Sequence, residues 1–171
     1  PEKQPNGQPW PKVSIVTPSY YQCDFIEETI RSMLLQGYPN LEYIIIDGNS
    51  TDSSVSIIRK YEPWLSYWVS EPDQGQTHAV NKGFSKCTGD ILAWLNSDDT
   101  YESGAIAAVV QKMGQDQDID VLYGNVKITD EVGQTTMEVR SVPFHPQAFL
   151  YETVHIVAQS AVFWKRDMQL K

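Results

Sequence analysis

The chain has 171 residues, of which 41% are hydrophobic and 20% are charged, values that are typical of one globular domain. Its 22 acidic residues outnumber its 13 basic residues and give a formal charge of -9, which argues against a nucleic acid as partner, because nucleic-acid binders present a basic face. No apolar run approaches the roughly 18 residues that a membrane-spanning helix needs, and residues 1–11 lack the apolar core of a signal peptide.

The start of the sequence predicts a short leader before a single domain. Residues 1–11 are polar and rich in proline, so we expect them to be flexible, and we place the domain at 12–171. The first residue is not Met, which indicates a fragment of a longer protein.

The two cysteines, Cys23 and Cys87, show neither the spacing of a metal site nor the number that a disulfide framework needs. We interpret both as reduced thiols, although the sequence leaves a bridge between them open. Reduced thiols predict a cytoplasmic protein, because disulfides form and persist in oxidising compartments.

Strand and helix patterns alternate along the chain up to residue 125. Short continuous apolar runs are typical of strands buried on both faces of a parallel sheet, and between them apolar residues recur at helical spacing. This alternation predicts right-handed βαβ units in a three-layer α/β/α domain with a mostly parallel sheet. The predicted strands are residues 13–17, 42–47, 67–70, 91–96, 121–123 and 160–164, and the predicted helices are 26–34, 55–61, 77–85 and 106–113.

Single residues mark the predicted ends of several elements. Pro18 is expected to stop the first strand, because proline cannot donate a hydrogen bond to a sheet ladder. Asp24, with Glu27 as its capping-box partner, and Asp52 are predicted to cap the first two helices. Gly114 is expected to close the last helix.

Residues 125–141 change to an alternating pattern of polar and apolar residues. Asp130, Glu131 and Gly133 lie at its centre and predict the turn of a hairpin. The hairpin therefore predicts an antiparallel addition to the parallel sheet.

Acidic residues recur just after the predicted strands. If those strands lie side by side, one edge of the sheet gathers residues 17–20, Asp47, Asp73, Asp98 and Asp99, and ligands bind at that edge in open α/β sheets. Each Asp alone could instead cap a helix or stabilise a turn, but their recurrence favours a common site. Two adjacent carboxylates repel each other, and Mg²⁺ or Mn²⁺, which usually shares its coordination with substrate phosphates, would relieve that repulsion.

Two common nucleotide-binding motifs do not occur in the sequence. No G-x-G-x-x-G follows the first strand, which argues against a dinucleotide site, and no Walker A sequence occurs, which argues against a P-loop. Tyr20 offers an aromatic face for a base, with an ordinary core tyrosine as the alternative.

Five segments of the chain, taken in order, resemble family 2 glycosyltransferases of the GT-A fold. They are residues 13–20, 42–53, 70–75, 81–83 and 95–99, and the resemblance runs from about residue 11 to about residue 166. It implies a Rossmann-like nucleotide-sugar-binding domain that transfers a sugar from a nucleotide diphosphate sugar to an acceptor hydroxyl, with inversion at the anomeric carbon.

The resemblance also implies which residues bind the nucleotide. Pro18, Ser19 and Tyr20, together with Asp47, match the segments that hold the base. Asp73 matches a position that lines the nucleotide site.

The resemblance assigns the metal to the acidic pair. Asp98 would contact the ribose or the metal, and Asp99 would bind the metal, either Mn²⁺ or Mg²⁺. Many members of the family carry a further Asp where this chain has Asn96, so the division of labour between the two carboxylates stays open.

Inversion requires a general base, which in the family follows the strand matched by residues 159–164. We therefore expect the base, and part of the acceptor region, beyond Lys171. His145, His155 and Glu152 are the weaker candidates within the chain. The acceptor would be a saccharide or a lipid-linked molecule, and a location peripheral to the membrane is then an alternative for the full-length protein.

Two other functions compete with glycosyl transfer. A nucleotidyltransferase shares the architecture and the metal carboxylates, but it needs a glycine-rich basic loop after the first strand, where this chain has Pro-Ser-Tyr-Tyr-Gln at 18–22. A module that binds a nucleotide sugar without turnover is the second alternative, and an assay for release of the sugar would separate it from an enzyme.

Overall fold

The computed structural model describes residues 3–4, 7–131, 133–144 and 157–168, and within these ranges the chain has an α/β architecture. Its strands are β1 (Val13–Ser19), β2 (Leu41–Asp47), β3 (Tyr67–Ser70), β4 (Ile91–Trp94), β5 (Val121–Tyr123), β6 (Val126–Thr129), β7 (Thr135–Val139) and β8 (Val162–Lys165). Its α-helices are α1 (Ile26–Leu34), α2 (Ser54–Lys60), α3 (Gln76–Phe84) and α4 (Ala105–Gln115), and short 3₁₀ turns cover Glu62–Trp64, Gln159–Ala161 and Arg166–Met168.

The main sheet has six strands in the order β3-β2-β1-β4-β8-β5. β1 pairs in parallel with β2 and β4, and β2 pairs in parallel with β3. β8 lies between β4 and β5 and is antiparallel to both. The strands β6 and β7 form the separate antiparallel hairpin. The predicted mostly parallel sheet with antiparallel additions is therefore confirmed, but the added strand is β8, and the predicted hairpin lies outside the main sheet.

Helices cover both faces of the sheet, which confirms the predicted three layers. Successive residues of a strand point to opposite faces, so neighbouring residues of β1 belong to different cores. Ile15 packs in the larger core with α1, α2 and α4, whereas Val16 packs in the smaller core with α3. The parallel strands are buried on both sides, and this burial explains their continuous apolar runs.

Helix α3 lies unusually close to β1. A Cβ atom added to Gly83 would overlap both γ-methyl groups of Val16, so this contact requires a glycine in the helix. Gln76, at the start of α3, and Ser19, at the end of β1, line the same cleft.

The expectation that Pro18 ends the first strand is wrong, because β1 continues to Ser19. The carbonyl of Val16 faces β4 and accepts a hydrogen bond from Leu95, and by alternation Pro18 faces the same side. The pairing with β4 ends at Val16, so the missing N–H of Pro18 removes no ladder hydrogen bond.

The predicted cap of the first helix is also wrong. Phe25, not Asp24, is the N-cap of α1, and it makes no side-chain capping bond. The predicted partner Glu27 instead accepts hydrogen bonds from Lys60 Nζ at 2.6 Å and from Tyr61 Oη at 2.7 Å, which join α1 to the end of α2.

Two further helix ends differ from the prediction. Asp52 lies one residue before the N-cap Ser53 of α2, yet its carboxylate still accepts a hydrogen bond from the N–H of Ser54 at 3.0 Å. Gly114 lies inside α4, which continues to Gln115 and has Asp116 as its C-cap. The last strand begins at Val162 rather than at residue 160, because the preceding residues form a 3₁₀ turn.

The end of the predicted leader contacts the domain. The rings of Trp10 and Tyr38 pack edge to face with their centroids 5.6 Å apart, and Tyr38 Oη donates a hydrogen bond to the carbonyl of Pro11 at 2.7 Å. The boundary at residue 12 stays a prediction.

Cys23 and Cys87 are both free thiols, as expected. None of the helices in the described ranges combines the length and the hydropathy that a bilayer span requires.

Candidate active site

A cleft of about 790 Å³ opens at the carboxyl edge of the parallel strands. The loops after β1, β2, β3 and β4 form its walls. The chain adds β2 and β3 on one side of β1 and β4 on the other side, so β1 and β4 flank the topological switch point of the sheet. Ligands of open α/β sheets bind at such a point, because loops from the two halves diverge there and leave a crevice.

The predicted base-binding segment lines this cleft. Pro18, Ser19 and Tyr20 all contribute to its wall, and the ring of Tyr20 is 60% exposed. This exposure excludes the alternative of an ordinary core tyrosine. Tyr20 packs edge to face on Tyr21 with the ring centroids 4.5 Å apart. Ser19 Oγ is buried and has no hydrogen-bond partner in the described part of the chain.

Asp73 also lines the cleft, and its contact with a nucleotide stays a prediction. Its Oδ1 accepts a hydrogen bond from the N–H of Gly75 at 2.7 Å, just before α3 begins. A Cβ atom added to Gly48 would lie 2.9 Å from Asp73 Oδ2, so Gly48 leaves the space that this carboxylate occupies. The carboxylate is thereby fixed on the wall formed by the loops after β2 and β3.

Asp47 lies at the same edge of the sheet but beneath the cleft. Its side chain is 0% exposed. Its Oδ1 accepts a hydrogen bond from Ser50 Oγ at 2.6 Å, and its Oδ2 accepts bonds from the N–H of Ser50 at 2.8 Å and from Ser70 Oγ at 2.6 Å. The contact with a nucleotide base implied for Asp47 stays a prediction.

The acidic pair joins two cavities. Asp98 is exposed and lines both the cleft and a neighbouring cavity of about 660 Å³, and Asp99 lines the second cavity. Burial, and then the charge of Asp98, raise the pKa of the Asp99 carboxyl above its ordinary value. Within the described ranges, Asp98 and Asp99 make no ion pair with a lysine, arginine or histidine. Among the residues that the structure describes, neither carboxylate is therefore neutralised by an ion pair.

These two carboxylates fit a hard divalent cation. Across the described residues, no group of three or more His, Cys, Asp and Glu side chains is arranged to hold a metal by itself. Mg²⁺ and similar ions are usually bound by one or two carboxylates, with water and substrate phosphates completing the shell. Asp98 and Asp99 supply such a pair of oxygen donors at the edge of the cleft.

Three amide side chains connect the acidic pair to the rest of the site. Asn96 Oδ1 accepts a hydrogen bond from Gln76 Nε2 at 2.8 Å, and Asn96 Nδ2 donates to Gln159 Oε1 at 3.1 Å. The same Nδ2 donates to Asp99 Oδ2 at 3.3 Å. Gln159 Nε2 in turn donates to the carbonyl of Trp94 at 2.9 Å. This network links α3, the end of β4 and the turn before β8.

The sequence interpretation missed the residues that support the site. Ser50 lies three residues after Asp47, a spacing typical of a local turn, so its contact could have been predicted. Ser70 lies opposite Asp47 in the parallel register, a relationship that appears only once β2 and β3 are paired. Gln159 is distant in sequence from Asn96 and carries no local signal. His145, Glu152 and His155, the weaker candidates for the general base, lie outside the described residues.

Comparison with known proteins shows the family to which this chain is similar. The family described as Glycosyl transferase family 2 matches residues 14–168. An uncharacterized glycosyltransferase of Mycobacterium tuberculosis is 34% identical over 116 residues, which cover 67% of this chain and 44% of that protein. A GalNAc(5)-diNAcBac-PP-undecaprenol beta-1,3-glucosyltransferase of Campylobacter jejuni is 28% identical over 109 residues, which cover 61% of this chain and 35% of that protein.

A solved structure has the same fold. A mannosyltransferase from Pyrobaculum calidifontis in complex with GDP-Man and Mn²⁺ superposes with a TM-score of 0.70 at 22% identity, over 94% of this chain and 46% of that one. This chain spans less than half the length of these proteins.

Proposed function

This chain belongs to glycosyl transferase family 2, and on that premise we propose that it binds the donor in an enzyme that moves a sugar from a nucleotide diphosphate sugar to an acceptor hydroxyl. The observation that carries the proposal is the acidic pair Asp98 and Asp99 at the edge of the switch-point cleft. The cleft provides a place for a nucleoside, and the pair provides a place for the charge of its diphosphate.

The nucleoside would occupy the wall formed by the loops after β1 and β3. Tyr20 offers its exposed ring for stacking on the base, and Pro18 and Ser19 line the same wall. Asp73 accepts hydrogen bonds and would recognise a base N–H or a ribose hydroxyl. None of these contacts requires a particular base, so the proposal covers uridine and guanosine donors alike.

The diphosphate would lie beside Asp98 and Asp99. These carboxylates would hold Mn²⁺ or Mg²⁺, which when bound supplies positive charge for the oxygens of the leaving diphosphate. Asn96 donates a hydrogen bond to Asp99 Oδ2 and would thereby hold the Asp99 carboxylate in one orientation. Asp98 lines both cavities and is therefore placed to contact either the ion or the ribose.

We propose that transfer occurs with inversion. The acceptor oxygen would form its bond to the anomeric carbon as the bond from that carbon to the β-phosphate oxygen breaks, and a general base would take the hydroxyl proton. This proposal assigns the base to none of the described residues. The acceptor would be a saccharide or a lipid-linked saccharide, the second suggested by the name of the Campylobacter relative. The free thiols of Cys23 and Cys87 support a cytoplasmic location, peripheral to a membrane if the acceptor is lipid-linked.

Calorimetry with and without Mn²⁺ tests this function. We expect UDP or GDP to bind the chain more tightly when Mn²⁺ is present, and Asp99→Asn to remove this gain while uridine or guanosine binds as before, because the ion holds the phosphates rather than the base. Asp118→Asn is the matched control, since Asp118 is exposed and precedes β5 at the opposite edge of the sheet.

Two outcomes would contradict parts of the proposal. If neither nucleotide binds under any condition, the chain does not form a nucleotide site. If Asp99→Asn weakens nucleoside and nucleotide binding equally, Asp99 has no role as a metal ligand. Binding without release of sugar from UDP- or GDP-sugars, in a longer protein that includes this chain, would favour a binding module over an enzyme.

A further inference from the structure

The buried carboxylate of Asp47 has a role that the family resemblance does not assign. We propose that Asp47 is a positioning residue, which does not touch the nucleotide but holds the loops after β1, β2 and β3 in the shape that the nucleoside requires. The inference rests on the proposed function, because it concerns the same cleft. It replaces the direct contact between Asp47 and the base that the resemblance implies.

The carboxylate of Asp47 has no exposed surface, and each of its oxygens already has a donor. Its side chain is fully buried, and both of its oxygens accept short hydrogen bonds from Ser50 and Ser70 at 2.6 to 2.8 Å. Because no part of the carboxylate is exposed, a base N–H could reach it only if the loops that carry Ser50 and Ser70 moved away from it. That movement would leave the serine hydroxyls without their partner, which is unfavourable.

Asp47 and the residue after it are tied to both neighbouring strands. The N–H of Glu71, just after β3, donates to the carbonyl of Asp47 at 3.0 Å, and Ser70 Oγ at the end of β3 donates to its carboxylate. The next residue, Gly48, donates its N–H to the carbonyl of Ser19 at 2.8 Å. The ends of β1, β2 and β3 are thus joined around one residue.

Ser50 extends this connection to the aromatic wall of the cleft. Ser50 Oγ donates to Asp47 Oδ1 and accepts a hydrogen bond from the N–H of Tyr21 at 2.9 Å. Tyr21 and Asn49 have positive φ angles of 54° and 67°, which are unfavourable for residues other than glycine. The bonds around Asp47 hold this strained backbone, and Tyr21 in turn packs against the ring of Tyr20.

After β2 it is Gly48, rather than Asp47, that lines the cleft. A larger side chain at this position would collide with the Asp73 carboxylate and with the ring of Tyr20. On this wall the carboxylate open to a ligand is therefore Asp73. The role of Asp47 is to place Gly48 and Tyr21, and through them the surfaces of Asp73 and Tyr20.

The two serines allow this role to be tested without changing Asp47. Ser70→Ala removes one hydroxyl that bonds the carboxylate, and Ser70→Thr keeps a hydroxyl at the end of a strand, where threonine is favoured. If Asp47 acts by positioning, Ser70→Ala should weaken binding of uridine or guanosine, whichever the wild type binds, roughly 10-fold, and Ser70→Thr should restore it. Ser66→Ala is the control, because Ser66 is exposed just before β3 and lies at its other end.

The measurements are calorimetry with the free nucleosides and with their diphosphates in Mn²⁺, and near-ultraviolet circular dichroism of the tyrosines. Equal losses for nucleoside and diphosphate, with a changed tyrosine spectrum for Ser70→Ala and Ser50→Ala, would support the inference. If Ser50→Ala fails to fold, the Ser70 pair still decides the question. Wild-type affinity in Ser70→Ala together with a loss of base preference in Asp47→Asn would overturn the inference while leaving the nucleotide site intact. Absence of binding in the wild type would instead overturn the proposed function.

Discussion

Asn96 donates a hydrogen bond from its Nδ2 to Asp99 Oδ2 over 3.3 Å. The same Nδ2 reaches Gln159 Oε1, and the carbonyl oxygen of the amide accepts a bond from Gln76. A carboxylate at position 96 could accept the bond from Gln76 but could not donate to the two oxygens. The amide at position 96 therefore supplies Asp99 and Gln159 with a hydrogen-bond donor that a carboxylate could not supply.

Asn96→Asp should destabilise the metal-free protein by about 1–3 kcal/mol, because it removes a donor from two acceptors and adds a charge beside Asp99. Urea unfolding in the presence of a chelator measures the change. Asn125→Asp is the matched control, since the side-chain oxygen of Asn125 only accepts bonds, from the N–H and Oγ of Ser141, and a carboxylate can replace it. Equal stability of the two variants would show that the amide donor is unimportant.

Asp99→Asn should make the metal-free protein more stable at neutral pH. Burial and the Asp98 charge raise the pKa of Asp99 in the folded state, so the folded protein keeps this proton to a higher pH than the unfolded chain. The wild type therefore loses stability as the pH rises from 3.8, the ordinary pKa of an Asp carboxyl, through the raised pKa of Asp99. Asp99→Asn removes this loss, because an amide does not ionise. Thermal unfolding across this range should show the variant's advantage disappearing below pH 3.8.

The same pair of proteins should respond differently to Mn²⁺. Binding of the ion to the folded state should raise the melting temperature of the wild type and should leave that of Asp99→Asn nearly unchanged. If Asp99→Asn is less stable than the wild type in the presence of a chelator, the acidic pair does not carry an uncompensated charge in the metal-free protein.

Gly83→Ala should destabilise the protein by about 1–3 kcal/mol, because the new methyl group would overlap the side chain of Val16 and push α3 away from β1. Gly114→Ala is the control, since Gly114 lies in α4 with open space around it. Alanine there should raise the free energy of unfolding by roughly 0.5–1 kcal/mol. Chemical unfolding compares the two. A neutral result at Gly83 would mean that α3 can shift without loss of packing.

Tyr20→Ala should weaken nucleoside binding by about 1–3 kcal/mol, the typical contribution of a base stacked on an aromatic ring. Tyr20→Phe keeps the ring and should bind almost as well as the wild type. Because the ring is 60% exposed, neither change should alter the melting temperature much. Unchanged affinity in Tyr20→Ala, measured by calorimetry, would remove this residue from the base site.

The sequence predicted the elements whose cause is local. The apolar runs of β1, β2 and β4 are buried on both faces, and the helical spacing of Ile26, Ile30 and Met33 gives α1 its buried side, so both patterns appear in the residues themselves. The position of Asp73 and Asp98 at one cleft followed from the rule that parallel strands end at a common edge.

The sequence was less informative where the cause lies in distant residues. The burial of Asp47 depends on Ser70 in the next strand, and the environment of Asp99 depends on Asn96 and its partner Gln159. Asp24 looked like a helix cap because its residue type fits, yet α1 begins one residue later than that position would require. The polarity of a residue indicates that it needs a partner, whereas the identity of that partner is a property of the folded chain.

The position of β8 determines the order in which the sheet can be completed. Strand β5, at residues 121–123, joins the sheet through β8, which is made of residues 162–165. During synthesis from the N-terminus, β1 to β4 can assemble with α1 to α3 before β8 exists, and until then the outer edge of β4 has no strand beside it. An open strand edge is a site of unwanted pairing between chains. A nascent chain that stops before residue 162 therefore exposes this edge, and aggregation of chains shortened at that point is the expected result.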